Sequence, residues 1–325
     1  MNQPVVYAET RLILGIPARF ESNAEEVIAA VRRAFAAWPV ADAQPRVHVR
    51  FHVTESSGEG DSGAHIQYEI PVPTRVIFRS GHSLVEADAV ERVATGRVTR
   101  AMLGNTELFR YGLLEAATLF LLTRLDRIPF HAAGLIRGDG ALLLAGRSGA
   151  GKSTLAWAAL RSDAGFGMLA EDCVYIQTEP ESRVWGWPGF FHLSLEAAAF
   201  FDELRSHEPF IMASGKRKIA LKARAITSSP VKGHWVGRAT VCLIERSGGP
   251  PRLEPLDSQE AECLLFSAIE EGFDLFADRL PSAVRPFLIP HAWRLDPGPD
   301  PSMAVPLLLE ALRVSQDQQP AARPS

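Results

Sequence analysis

Apolar and polar positions alternate residue by residue along Arg46 to Glu55, "RVHVRFHVTE", the period of a strand with one buried face. Before it, "TRLILGIPARFES" (Thr10 to Ser22) reads as a single strand-like segment. Ala24 to Trp38 then carries an amphipathic helical spacing that Ser22 or Asn23 could cap. "SSGEGDSG" (Ser56 to Gly63) is a loop by composition. Further strands are expected at Ile66–Ile70, Thr74–Phe78, Ser83–Ala89 and Arg92–Leu103, and Leu108 to Leu125 has the length of a buried helix. From Phe130 the pattern shortens. Two apolar runs flank the turn Gly138-Asp139-Gly140, a hairpin signal. A glycine loop, a helix (Lys152 to Arg161) and a strand (Gly167 to Ile176) follow. After "VWGWPGFFHLS", which reads as irregular, a helix is expected at Leu195–Leu204 and a strand at Arg238–Arg246. A helix at Ser258–Phe276, a strand near Ala292–Leu295 and a helix at Pro301–Val314 complete the pattern. The sum is an α/β fold: an α+β region over residues 1–105, a second domain over 106–314, and a polar, disordered tail over 315–325.

Composition narrows the classes. Of 325 residues, 46% are hydrophobic and 22% charged, ordinary for a globular chain, and a net charge of −4 gives no nucleic-acid footprint. Local basic character is confined to "GKRKIALKAR" (Gly215 to Arg224). The longest apolar stretch, Gly112 to Leu122, is interrupted by Glu115 and is shorter than the roughly 20 residues of a membrane span. "MNQPVVYAETRL" lacks the apolar core of a signal peptide. Cys173, Cys242 and Cys263 are too scattered for a disulfide framework or zinc site. These observations predict a soluble cytoplasmic protein with neither nucleic acid nor membrane as partner.

The chemistry concentrates in "GRSGAGKST": Gly146, Arg147, Ser148, Gly149, Ala150, Gly151, Lys152, Ser153 and Thr154. It matches G-x-x-x-x-G-K-[ST] between an apolar strand and an Ala-rich helix, the context in which that pattern cradles phosphates. Glycines let successive N–H groups turn toward an anion, and the helix dipole adds positive field. Lys152 is expected on the β/γ-phosphates of ATP and the Ser153 hydroxyl on Mg²⁺. Two acids, Glu171 and Asp172, end the apolar run after the loop's helix. One could hold Mg²⁺ while the other accepts a proton from an acceptor hydroxyl. A competing acid, Glu245, closes "TVCLIE" in the manner of a motor ATPase.

His131 opening a strand hairpin, then "GRSGAGKST", then "MLAEDCVYI", in that order, resemble the catalytic core of HPr serine kinase/phosphorylase. The closer resemblance is to shorter HPr-kinase-related proteins found beside peptide-modification genes, such as lasso-peptide tailoring kinases. It is strong over about Arg127 to Tyr175, weaker to about Val314, and absent from residues 1–105. It implies a P-loop core of the phosphoenolpyruvate-carboxykinase type, His131 as a polar group near the phosphates, Glu171 as general base and Asp172 as its metal- or phosphate-side partner. Two departures stand out. The family pair is usually Asp-Asp, and the family's "EIRG-LG" segment, tied to phosphorylase activity, is replaced by "VWGWPGFFHLS". Glu196 is the nearest acid to that segment. Lys216-Arg217-Lys218 falls where related kinases carry a mobile basic loop, and Trp185, Trp187, Phe190 and Phe191 read as core.

The resulting expectation is an ATP- and Mg²⁺-dependent kinase acting on a Ser/Thr hydroxyl of a protein or peptide. Residues 1–105 would then serve docking or oligomerisation, and the hexamers of HPr kinases make a homo-oligomer part of the resemblance. A P-loop ATPase or nucleotide-binding regulator using Glu245, and a small-molecule hydroxyl kinase, are the alternatives.

Overall fold

Strand β1 (Tyr7–Ile13) turns back on β2 (Ile16–Ser22) in a tight hairpin, so Thr10 to Ser22 is two strands rather than one. Leu14 and Gly15 make the turn with φ of 48° and 74°, matching the twist that two-residue hairpins need. In the computed structural model, residues 7–55, 65–187, 190–211, 217–222, 235–266, 274–289 and 292–318 are described. The chain divides into two units, Met1–Arg127 and Ile128–Ser325.

In the first unit, helix α1 (Glu25–Ala34) carries β2 to β3 (Val47–Thr54), which lies parallel to it. Neither Ser22 nor Asn23 caps the helix through its side chain; Ala24 is the cap residue. Asn23 instead bonds across to β3, donating to Val53 O at 3.0 Å and accepting from Val53 N at 2.7 Å. The meander β4 (Gln67–Val72), β5 (Arg75–Ser80), β6 (Ser83–Asp88), β7 (Val93–Thr99) completes a seven-stranded sheet ordered β1-β2-β3-β7-β6-β5-β4. Alternation on β3 is as the sequence predicts: Val47, Val49, Phe51 and Val53 are buried. β7 stops at Thr99, whose hydroxyl accepts from Met102 N at 3.2 Å and starts the short helix α2 (Arg100–Gly104). A π-helix, Leu108–Glu115, runs into α3 (Ala116–Thr123). α3 packs on β3, β6 and β7, and Phe109 meets Phe51 edge-on at 5.3 Å. These contacts move the compact division to Arg127, so the segment 106–127 belongs with the first sheet.

The second unit opens with β8 (Ile128–His131), β9 (Ala133–Arg137) and β10 (Gly140–Ala145), then α4 (Lys152–Arg161). β9 and β10 form the hairpin around Gly138 and Asp139. His131 ends β8 rather than opening that hairpin. Next come β11 (Gly167–Ala170), β12 (Cys173–Gln177), β13 (Arg183–Trp185) and β14 (Phe190–Ser194). Among its described residues "VWGWPGFFHLS" is therefore only partly irregular; it supplies β14 and the end of β13, and Trp185 and Phe191 are core residues. The helix expected at Leu195–Leu204 is two 3₁₀ turns, Leu195–Ala199 and Asp202–Ser206. β15 (Phe210–Ile211), β16 (Arg217–Lys222), β17 (Trp235–Val236), β18 (Arg238–Ile244) and β19 (Arg252–Leu256) follow. The remainder is α5 (Ser258–Phe266), α6 (Leu280–Val284), β20 (Ala292–Asp296) and α7 (Val305–Gln318). α5 is described to Phe266; residues 267–273 of the helix expected to Phe276 lie outside the described residues, and Asp274–Phe276 is a 3₁₀ turn. α7 runs four residues past Val314, into the segment expected to be a disordered tail.

A six-stranded mixed sheet, β11-β9-β10-β18-β20-β19, forms the centre, with β10, β18 and β20 mutually parallel. Every residue of β10 is buried because both its faces are covered. Leu142 and Leu144 join the core that includes α4 and α7, whereas Ala141, Leu143 and Ala145 join the core that includes Val174 and Ala283. Two smaller sheets, β17-β13-β12-β8 and β14-β16-β15, complete the unit. The strand expected over Gly167 to Ile176 is consequently two: β11 pairs with β9 in the central sheet, and β12 with β8 in a neighbouring one. Glu171 and Asp172 occupy the bend between them. Among the described residues no helix is long and apolar enough to cross a membrane.

The turn after β18 is fixed by Asp296, a buried residue at the end of β20. Its carboxylate accepts from Ser247 N at 2.9 Å, from Ser247 Oγ, and from Gly298 N at 2.9 Å. Burial pushes its pKa up, but these hydrogen bonds outweigh burial and hold the carboxyl below the usual aspartate value. A depressed folded pKa adds stability above the unfolded value of about 3.9, lost as pH falls through the folded one. Asp296→Asn should therefore lower the urea midpoint at pH 7, and the gap to wild type should narrow as pH falls below about 3.9. A second prediction concerns Gly186, where a Cβ would stand 1.9 Å from Leu169 O. That oxygen is backbone and cannot step aside, so Gly186→Ala should destabilise this unit by about 1–3 kcal/mol, read in the same unfolding measurement.

Candidate phosphate and acid site

β10 ends at Ala145 and hands the chain to the glycine loop, whose Gly146, Gly149 and Gly151 have φ of 144°, 82° and 98°. Gly146 is doubly constrained, because its neighbour is backbone, whereas the group beside Gly151 is the end of a flexible arginine. A Cβ on Gly146 would lie 2.9 Å from Ile244 O, and one on Gly151 would lie 2.6 Å from Arg246 Nη2. Arg147, Ser148 and Gly149 are exposed at the crest of the loop. Ala150 N donates to Arg147 O at 3.1 Å, and Gly151 O accepts the first bond of α4 from Leu155 N at 2.9 Å. Lys152 opens α4 and is buried, its Nζ donating to Gly146 O at 2.8 Å and Arg147 O at 3.3 Å. An ammonium group thus lies under the loop on its carbonyl side.

Ser153, one residue on, donates from Oγ to Glu171 Oε1 at 3.0 Å. The other oxygen of Glu171, Oε2, accepts from His192 Nδ1 at 3.1 Å. Consecutive residues in extended chain face opposite ways, and the bend between β11 and β12 preserves that divergence. Asp172 therefore meets a different partner, accepting from His131 Nε2 at 3.1 Å. β8 and β12 make this contact by register, because His131 pairs with Cys173. Glu171 has only 8% of its side chain exposed and Asp172 has 56%. One acid is enclosed beside the serine; the other is open.

Desolvation pushes the Asp172 pKa up, but the His131 hydrogen bond and charge, with the charges of Lys218 and Lys152, draw it below the usual aspartate value. Lys218 is the described part of the Lys216-Arg217-Lys218 segment that acts here; it lies on β16, and Lys216 falls outside the described residues. Cys173 borders Asp172, yet burial and that neighbouring carboxylate push its thiol up to about 12, which removes it as a nucleophile.

Glu245 is engaged elsewhere. Its carboxylate takes Arg294 at 2.8 Å, its N donates to Leu295 O, and Arg294 also holds Glu260. Glu196 is exposed, and a hydrogen bond with Ser194 draws its carboxyl down. Two residues at the site carry no signal in the sequence pattern. His192 lies in the stretch that reads as irregular, and only the pairing of β14 with β16 brings it in. Arg246, at the exit of β18, donates from Nε to Ala150 O at 3.1 Å.

Loop, lysine, serine and acids suit a nucleotide with Mg²⁺. Positive φ at three glycines allows N–H groups to converge on an anion, and a hydroxyl beside a carboxylate is an oxygen donor set of the kind Mg²⁺ takes with phosphates. Lys152 would reach the phosphates, and Ser153 with Glu171 would hold the metal.

No family model matches this chain, and no curated protein matches it. Among solved structures, the Hpr(Ser) kinase/phosphatase from Coxiella burnetii is similar to 39% of this chain and 76% of that one, at 12% identity and a TM-score of 0.23. So loose a superposition fixes neither architecture nor activity.

Proposed function

We propose that the second unit is a phosphotransferase of the phosphoenolpyruvate-carboxykinase-type P-loop class, passing the γ-phosphate of ATP to a Ser/Thr hydroxyl of a protein or peptide. One observation carries the reading. Two consecutive acids diverge at the mouth of a glycine loop, one onto the loop's serine and the other onto a histidine. A hydrolase that only switches needs one such acid, whereas transfer to a hydroxyl uses a metal-side group and a proton acceptor.

The geometry favours roles opposite to those the family resemblance implies. Glu171 is enclosed against Ser153, so these two oxygens form the metal side. Asp172 is the acid an incoming hydroxyl can reach, and His131 orients it. Mg²⁺, when bound, neutralises phosphate charge that develops during transfer. The chain's own residues do the rest. Lys152 exchanges its loop carbonyls for phosphate oxygens, and His192 fixes the carboxylate plane of Glu171 from behind. Asp172 receives the hydroxyl proton as the acceptor oxygen bonds to the γ-phosphorus and the bond to the bridging oxygen breaks. Its depressed pKa keeps it ionised at neutral pH, so it contributes position and charge more than basicity. Residues 1–105 are proposed as a docking or oligomerisation module. The same site would serve a small-molecule hydroxyl, and the acceptor itself is the discriminating variable.

Incubating the full chain with γ-labelled ATP, Mg²⁺ and candidate Ser/Thr peptides, followed by mass measurement, tests the reading. Asp172→Asn should lower phosphotransfer by about 10²–10⁴-fold while nucleotide binding stays within a few-fold. Glu171→Gln should raise the Mg²⁺ concentration needed, and Glu245→Gln should change little. Loss of turnover in Glu245→Gln with full activity in Asp172→Asn would falsify the assignment.

A further inference from the structure

The turn after β18 holds three consecutive residues in alternating directions. Glu245 is pinned to β20 through Leu295 O and Arg294, and Ser247 is pinned to Asp296. Arg246, between them, is turned the other way and lies against the glycine loop. Its guanidinium fills the space that a side chain on Gly151 would need: the Cβ position is 2.6 Å from Nη2 and 3.3 Å from both Cζ and Nε. The φ of 98° is what calls for glycine at 151; the arginine packs against it as a flexible side chain that could move aside.

Among the described residues Arg246 pairs with no carboxylate, and its single hydrogen bond is Nε to Ala150 O. Of five N–H donors, four are thus left at the exposed rim of an anion-binding loop. A guanidinium in such a place, held by one donor with its fork open, is built for bidentate contact with a phosphate group. We infer that Arg246 is a second cationic ligand of the nucleotide polyphosphate, gripping from the rim while Lys152 acts from beneath. The inference deepens the proposed phosphotransfer site and rests on its binding a nucleotide.

Calorimetric titration of the full chain with Mg·ATP and Mg·ADP tests it, using Arg246→Ala, Arg246→Lys and, as control, Lys152→Ala. Arg246→Ala should weaken ATP by about 10–100-fold, the range of a charge-assisted contact. ADP should lose less, because it carries less charge, and Arg246→Lys should restore part of the loss. The thermal midpoint should stay within about 2 °C of wild type, since the side chain is exposed and makes one hydrogen bond. Wild-type affinity in Arg246→Ala, with Lys152→Ala defective, overturns this inference and leaves the nucleotide reading standing. An equal loss for ATP and ADP, unrelieved by lysine and joined to a lowered midpoint, makes Arg246 a brace of the loop and also overturns it. If wild type and Lys152→Ala alike bind no nucleotide, both fall together.

Discussion

The bend at Glu171 and Asp172 is the constraint on which the site depends. β9 with β11 and β8 with β12 are two antiparallel ladders in different sheets, and the chain passes between them twice, at Ala132 and at the acid pair. A two-strand ribbon folded over in this way turns adjacent residues outward from each other. Were the strand continuous, its ladder would hold both carboxyls to the pleat of one sheet. The change of sheet instead lets Glu171 reach the start of α4 while Asp172 remains with His131. Gly186, against Leu169 O, allows β13 to crowd the same corner.

Around that corner the charges are arranged by depth. Lys152 and Glu171 are enclosed, and each is satisfied by polar partners, as buried charged groups must be. Asp172 is open, and side chains from three elements draw its pKa down: the His131 hydrogen bond from β8 and the charges of Lys218 on β16 and Lys152 on α4. Their convergence is a property of the folded unit, not of any short segment.

What the sequence reveals is what is local. The glycine loop needs residue types at fixed spacing, so Gly146, Gly151, Lys152 and Ser153 are legible, and the hairpin at Gly138 and Asp139 follows from its turn chemistry. The pairing of acids with partners is not local. His192 is 21 residues from Glu171 and His131 is 41 from Asp172. Trp, Gly and Pro in "VWGWPGFFHLS" hide two strand segments that tertiary pairing enforces. Residues 106–127 illustrate the same limit: their helical period is plain, but which sheet they cover depends on contacts such as Phe51 with Phe109.

The position of Lys152 has a further consequence. Its ammonium is already bonded to Gly146 O and Arg147 O, so the loop carries its own internal counter-partner. Any anion entering must draw the lysine off two carbonyls before gaining its charge. A weakly charged or monodentate anion offers little more than those dipoles do, whereas a polyphosphate offers several oxygens and multiple charges at once. If the loop binds a nucleotide as proposed, it would in this sense act as a threshold, discriminating by charge density before any base or ribose is read.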